Sequence, residues 1–190
     1  MKKLEEKILS DGQIIMPDIL KVDGFLNHQI DVTLYQEMGK EFKARFSHKD
    51  ITKIVTIEAS GIGIALATAY EFDNIPVVFA KKGHSATIND QLYTSSVHSF
   101  TKKVTYNACI KKDYINEGDK ILIIDDFLAN GHAALGLIDI CKQGGATIQG
   151  VGIVIEKGFQ PGRKAIEATG VQVESLAIID QFIDGKIKFK

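Results

Sequence analysis

Asp125 and Asp126 stand side by side in ILIIDDFLANGHA, residues 121–133. Four apolar residues precede them, and Ala129, Asn130 and Gly131 lead from them into a run that reads as a helix. Adjacent carboxylates repel, and the apolar flank raises the cost of keeping both ionised. A ligand that offsets this cost is implied. Small, turn-forming residues ahead of a helix expose successive backbone N–H groups at the positive end of the helix dipole. Residues Ala129, Asn130, Gly131, His132 and Ala133 therefore make a phosphate cradle, although neither GxxxxGK[ST] nor GxGxxG is present. Carboxylates beside a bound phosphate must address another part of the same ligand. A sugar diol, which donates hydrogen bonds to a carboxylate, fits; so does a divalent cation.

The elements that must hold these groups alternate. Residues 53–58 (KIVTIE), 76–80, 120–125 and 147–156 read as buried strands; 61–70 and 132–143 read as helices, the second ended by Gly144 and Gly145. A short helix at GRKAIEAT, a strand at VQVESL and a terminal strand pair around GKIKF follow. Upstream, MKKLEEKILSDG reads as a short amphipathic helix, residues 12–31 as irregular and apolar, and Tyr35, Met38, Phe42 and Phe46 as the inner face of a helix capped by Asp31. Residues 81–91 read as a polar loop leading into a two-stranded ribbon, YTSSVHSF and KVTYNACI. The pattern predicts one α/β domain over residues 1–190, with a mostly parallel central sheet flanked by helices. Ligands of such sheets bind beyond the carboxyl ends of the strands, so the loops EASG, KKGHS, DDFLANGHA and EKGFQPGR are expected to converge.

Composition narrows the class. The chain has 190 residues, enough for a sizeable core, and 45% of them are hydrophobic. A formal net charge of -1 gives no global reason to expect nucleic acid or an acidic membrane as partner. No apolar run approaches the ~18 residues of a membrane span. The N-terminal lysines are interrupted by Glu5 and Glu6 and carry no apolar export core, so a cytoplasmic protein is expected. Cys109 and Cys141 are too few for a disulfide framework and are expected as reduced thiols in or near the core; no metal-ligand spacing occurs.

The 121–133 stretch resembles the signature of the purine and pyrimidine phosphoribosyltransferases, in which a hydrophobic strand, two acids and a small turn hold the ribose and 5-phosphate of phosphoribosyl pyrophosphate. The resemblance implies that Asp125 and Asp126 face a sugar whose C1 becomes cation-like as pyrophosphate departs, a charge that carboxylates stabilise. IEASGI resembles the family's diphosphate loop, with Ala59, Ser60 and Gly61 as contacts and a cis or strained peptide expected at Ala59–Ser60. FAKKGHS resembles the segment in which a basic residue, often from the neighbouring subunit, reaches the diphosphate, with Lys81 and Lys82 as candidates, and residues 83–91 resemble the flexible lid that keeps water from the activated sugar.

The similarity covers nearly the whole chain and is greatest to bacterial members of the family acting on xanthine. It implies a small base-binding hood from about residues 1–30 together with late loops. Leu20 and Asn27 would contact the purine, as would Lys157, whose ammonium can satisfy one xanthine carbonyl while the Asn27 amide serves the other. Phe159 would be a stacking surface or pocket wall. Mg2+ would ride on the substrate's diphosphate and ribose oxygens, because the sequence offers no all-protein metal cage, and a homodimer is implied by family resemblance. His28, His98 and His132 need no role in catalysis, since a purine nitrogen is already nucleophilic; His48 and His84 read as solvent-facing. Two other readings stay open: a sister enzyme for adenine, hypoxanthine or guanine, and a regulator that binds phosphoribosyl pyrophosphate without turnover.

Overall fold

A computed structural model of the chain describes residues 1–15, 19–83, 91–99 and 104–190. The strands are β1 (Gln13–Ile15), β2 (Ile19–Lys21), β3 (Lys53–Ile57), β4 (Val77–Lys82), β5 (Leu92–Ser99), β6 (Val104–Lys111), β7 (Lys120–Leu128), β8 (Thr147–Lys157), β9 (Val173–Ile183) and β10 (Lys186–Phe189). The helices are α1 (Lys2–Asp11), α2 (Val32–Arg45), α3 (Gly61–Glu71), α4 (His132–Gln143) and α5 (Gly162–Glu167). The main sheet runs β10-β9-β8-β7-β3-β4-β6-β5. From β9 to β4 the pairings are parallel, while β10 and the β5/β6 ribbon join antiparallel at opposite edges. The expected mostly parallel α/β sheet is present.

The reason for this register is the alternation within the central strands. Leu122 and Ile124 of β7 enter the core with Phe42 of α2, Phe46 at its C-cap and Ile64 of α3, whereas Ile121 and Ile123 pack with Leu137 and Ile140 from α4. A strand apolar on both faces must be covered on both. Tyr35, Met38, Phe42 and Phe46 are all buried, and the Asp31 carboxylate accepts a hydrogen bond from Leu34 N at 3.0 Å, so both expectations for α2 hold. Cys109 and Cys141 are buried free thiols, and burial pushes Cys141 up to about 12.

Four local expectations are corrected. Residues 12–31 are not irregular throughout: Gln13–Ile15 and Ile19–Lys21 pair antiparallel, and Asp23–Asn27 forms one π-helical turn, while 16–18 lie outside the described residues. The ladder to β6 carries β4 through Lys82, so both lysines sit in a strand instead of a loop. Pairing with β8 carries β7 through Leu128, past both carboxylates. The cis peptide lies at Glu58–Ala59, one bond before the expected position. Most of the expected lid, residues 84–90 with His84, lies outside the described residues.

Candidate active site

The carboxyl ends of β3, β4 and β7 open on a cavity of about 220 Å³, lined by Glu58, Ala59, Ser60, Gly61, Lys82, Tyr106, Asp125, Asp126 and the turn from Leu128 to Ala134. This is where the switch in strand order of a parallel sheet places a ligand.

Asp125 is 5% exposed and Asp126 is half-buried. The Asp125 Oδ1 accepts from the Asp126 backbone N–H at 3.0 Å, and the Asp126 Oδ1 from the Phe127 N–H at 2.9 Å. These bonds fix the two side chains but do not neutralise them. Burial, and then the charge of Asp126, holds the Asp125 carboxyl well above the usual carboxylate range; burial likewise raises Asp126. Lys82 partly opposes the rise in both. Burial therefore disfavours the ionised pair, and a cationic sugar centre or a divalent ion beside it would favour it.

The phosphate turn has the expected form. Gly131 adopts φ +85°, a conformation open to glycine at little strain, and caps α4. His132, Ala133 and Ala134, the first turn of α4, border the cavity, an arrangement whose N–H groups and helix dipole suit an anion. Gly61, the first residue of α3, lets the loop after β3 press close: a Cβ there would lie 2.1 Å from Thr56 Oγ1 and 3.3 Å from Asp125 Oδ1.

Strand alternation separates the two lysines. Lys82 shares the cavity and lies with its ammonium 5.4 Å from the Tyr106 ring centroid, while Lys81 borders a separate apolar groove with Phe79 and Tyr114. Of the two candidates, Lys82 lines this cavity within its own chain and Lys81 does not. The fourth loop also departs from expectation. It does not line this cavity but packs behind the phosphate turn, where Gly162 N donates to Ala129 O at 3.0 Å. Arg163, next in the chain, makes a two-pronged pair with the buried Glu156 through Nε and Nη2, at 2.9 Å and 2.6 Å, and its Nη1 donates to Val173 O at 2.9 Å.

None of the four expected base contacts lines this cavity; Phe127, which borders it, packs against the core layer that contains Leu20, Phe25 and Leu26. Leu20 is buried, Asn27 is exposed at the end of the π-helical turn, and Lys157 is buried at the end of β8. Phe159, 45% exposed, meets Phe182 edge-on at 5.9 Å. Sequence reasoning missed Tyr106 and Glu58, and set aside His98, which also borders the cavity. Tyr106 comes from the ribbon through the register that pairs Lys82 with Ala108, and burial followed by the charges of Asp125 and Glu58 raises its phenol. The Glu58 carboxylate accepts from the Lys82 N–H, and His98 lies edge-on to His132 at 5.8 Å. Period-two alternation along 104–111 was the available signal, but it needs the ribbon's pairing with β4 to become a prediction.

No family model matches the chain. Among curated relatives, xanthine phosphoribosyltransferase 2 of Clostridium botulinum (strain Langeland) is 62% identical over 190 residues, covering 100% of both chains. The xanthine phosphoribosyltransferase of Clostridium novyi is 60% identical over the same span, again covering 100% of both chains. Among solved structures, adenine phosphoribosyltransferase from Rhodothermus marinus superposes with a TM-score of 0.74 at 23% identity, covering 94% of this chain and 100% of that one, a likeness of fold. By its full-length identity to curated relatives, the chain belongs to the xanthine phosphoribosyltransferases.

Proposed function

We propose that this protein transfers 5-phosphoribose from phosphoribosyl pyrophosphate to N9 of xanthine, giving xanthosine 5'-phosphate and pyrophosphate in purine salvage. The observation that carries this reading is the shared wall of one cavity: a carboxylate pair whose ionisation burial disfavours stands beside the N-terminus of α4. The 5-phosphate sits in the turn from Ala129 to Ala133, and the ribose hydroxyls face Asp125 and Asp126. The diphosphate lies against Ala59, Ser60, Gly61 and Lys82. As the C1–O bond breaks, positive charge grows on the sugar beside two carboxylates, and the leaving diphosphate keeps its charge beside Lys82 and backbone N–H groups. N9 of the base then attacks C1. The disfavoured ionisation of the pair fits Mg2+ carried in on the substrate, where it would neutralise the leaving group.

Asn27 and Lys157 distinguish the base. Lys157, largely desolvated at 9% exposure, donates to one xanthine carbonyl and Asn27 to the other; Leu20 and Phe159 form the apolar walls. The free thiols support a reducing, cytoplasmic setting. Exposed Ile30, Val32, Leu66 and Tyr70 around α2 and α3 support a homodimer, tested by sedimentation.

The test is pyrophosphate release from phosphoribosyl pyrophosphate and Mg2+ with xanthine, hypoxanthine, guanine and adenine in parallel. A preference for xanthine that collapses in Asn27→Ala and Lys157→Ala is expected. Preference for another base overturns the hood assignment; binding of phosphoribosyl pyrophosphate without release from any base overturns the enzyme.

A further inference from the structure

We propose that Tyr35 is a positioning residue, setting the base-contact turn against the carboxylate pair by holding the Leu26–Asn27 peptide through its hydroxyl. The inference deepens the hood reading of the proposed function and rests on it. Tyr35 stands in the first turn of α2 and is 4% exposed. Its hydroxyl donates to Leu26 O at 2.8 Å in a buried setting. That carbonyl belongs to the peptide whose nitrogen is Asn27, so the bond fixes the backbone from which the proposed base contact projects.

The ring itself cannot drift. Gly63 of α3 packs on it so closely that a Cβ there would lie 2.8 Å from Tyr35 Cε2. Since α3 begins in the loop after β3 at Gly61, the same ring ties the hood to that loop. Tyr35 is also within electrostatic range of the site. Burial, followed by the charge of Asp126, pushes its phenol up to about 12, which keeps it a neutral donor at any working pH. The turn is otherwise held by backbone bonds, among them Leu26 N to Val22 O at 3.0 Å and Gln29 N to Asp23 O at 2.8 Å, with Asp31 N at the cap of α2 donating to Phe25 O at 3.1 Å. Those bonds shape the turn. The Tyr35 bond adds a side-chain tie from α2 to the turn, made at the Leu26–Asn27 peptide itself.

The experiment measures Tyr35→Phe, Asn27→Ala and the double variant with the base that wild type accepts, by steady-state kinetics and by calorimetric binding. Tyr35→Phe is expected to raise the KM for the base about five- to tenfold, as a hydrogen bond of about 1 kcal/mol implies, and to move the KM for phosphoribosyl pyrophosphate less than about twofold. In the Asn27→Ala background the same change should add almost nothing, because both act through one contact. A multiplicative double variant, or equal rises in both KM values, would overturn the proposal, and a lowered Tm with unchanged KM values would make Tyr35 purely structural. If wild type takes a base other than xanthine, the xanthine reading fails while Tyr35 is judged on the base accepted. If no base is turned over or bound, both fall.

Discussion

At the scale of single residues, the site works against the stability of the free protein. Ionising Asp125 and Asp126 together in a buried place is unfavourable until a cationic partner arrives, and both carboxyls are raised by burial. An unfolded aspartate titrates near about 3.9. Between that pH and the raised native values the folded state holds more protons than the unfolded chain, so stability falls as pH rises through this window. Asp125→Asn removes one charge from the pair. It should raise the Tm of the free protein, by more at pH 8 than at pH 5, while lowering kcat by about 10²- to 10³-fold. Thermal unfolding at the two pH values decides the first half. A Tm gain larger at pH 5 would mean the pair is stabilised by its surroundings, not strained by them.

Elements explain what could and could not be read in advance. The long buried strands, α4 and the phosphate turn were legible because hydrophobic runs and small turn residues act locally. The lysines were not: which of Lys81 and Lys82 lines the cavity depends on strand parity, and parity was hidden until pairing with β6 extended β4. The β1–β2 pairing and π-helical turn near the N-terminus were equally hidden, since tertiary packing and not propensity stabilises such short pieces. The four loops follow the same logic. Three meet at the cavity, and the fourth supports the phosphate turn from behind through Gly162. A Cβ on Gly162 would lie 2.4 Å from Ala129 O and 2.9 Å from Gly131 N, both backbone atoms that cannot swing aside. Gly162→Ala is therefore expected to displace the turn and raise the KM for phosphoribosyl pyrophosphate at least about tenfold, since small displacements of binding groups are costly. Direct titration with the sugar substrate checks this, and unchanged affinity would show that the turn holds itself.

Beside that glycine, Arg163 pairs with Glu156, which is 2% exposed. Truncating Arg163 leaves a buried carboxylate with only the Ser175 hydroxyl as a side-chain partner among the contacts described. Arg163→Ala should cost about 3 kcal/mol, lowering Tm by roughly 6–12 °C in a chain of this size. Replacing both partners with apolar residues, Glu156→Leu with Arg163→Met, should recover part of the loss, because the penalty lies in the orphaned charge. If the double replacement is worse than Arg163→Ala alone, packing dominates instead.

The whole molecule is two core layers on one sheet, and α2 connects its mechanical parts. At its N-terminal end α2 holds Tyr35 beneath the hood; near its C-terminal end Phe42 and Phe46 lie directly over glycines of β8. A Cβ on Gly150 would come within 2.4 Å of Phe46 Cε1, and one on Gly152 within 2.8 Å of Phe42 Cε1 and 2.7 Å of Ile124 Cδ1. The glycines set how closely the helix approaches the sheet, and both aromatic rings are fully buried with little room to give. Gly150→Ala and Gly152→Ala should each destabilise by about 1–3 kcal/mol through overpacking. Their effects should be less than additive, because the first methyl already lifts the helix that the second would meet. Gly24→Ala, whose Cβ meets nothing within 4 Å, serves as the control and should stay within about 0.5 kcal/mol of wild type. Denaturant unfolding followed by circular dichroism and by tyrosine fluorescence should trace one transition in all variants, since both layers share the sheet. Strict additivity would mean that the rings yield independently and that α2 stays seated, in which case its two ends are not mechanically joined.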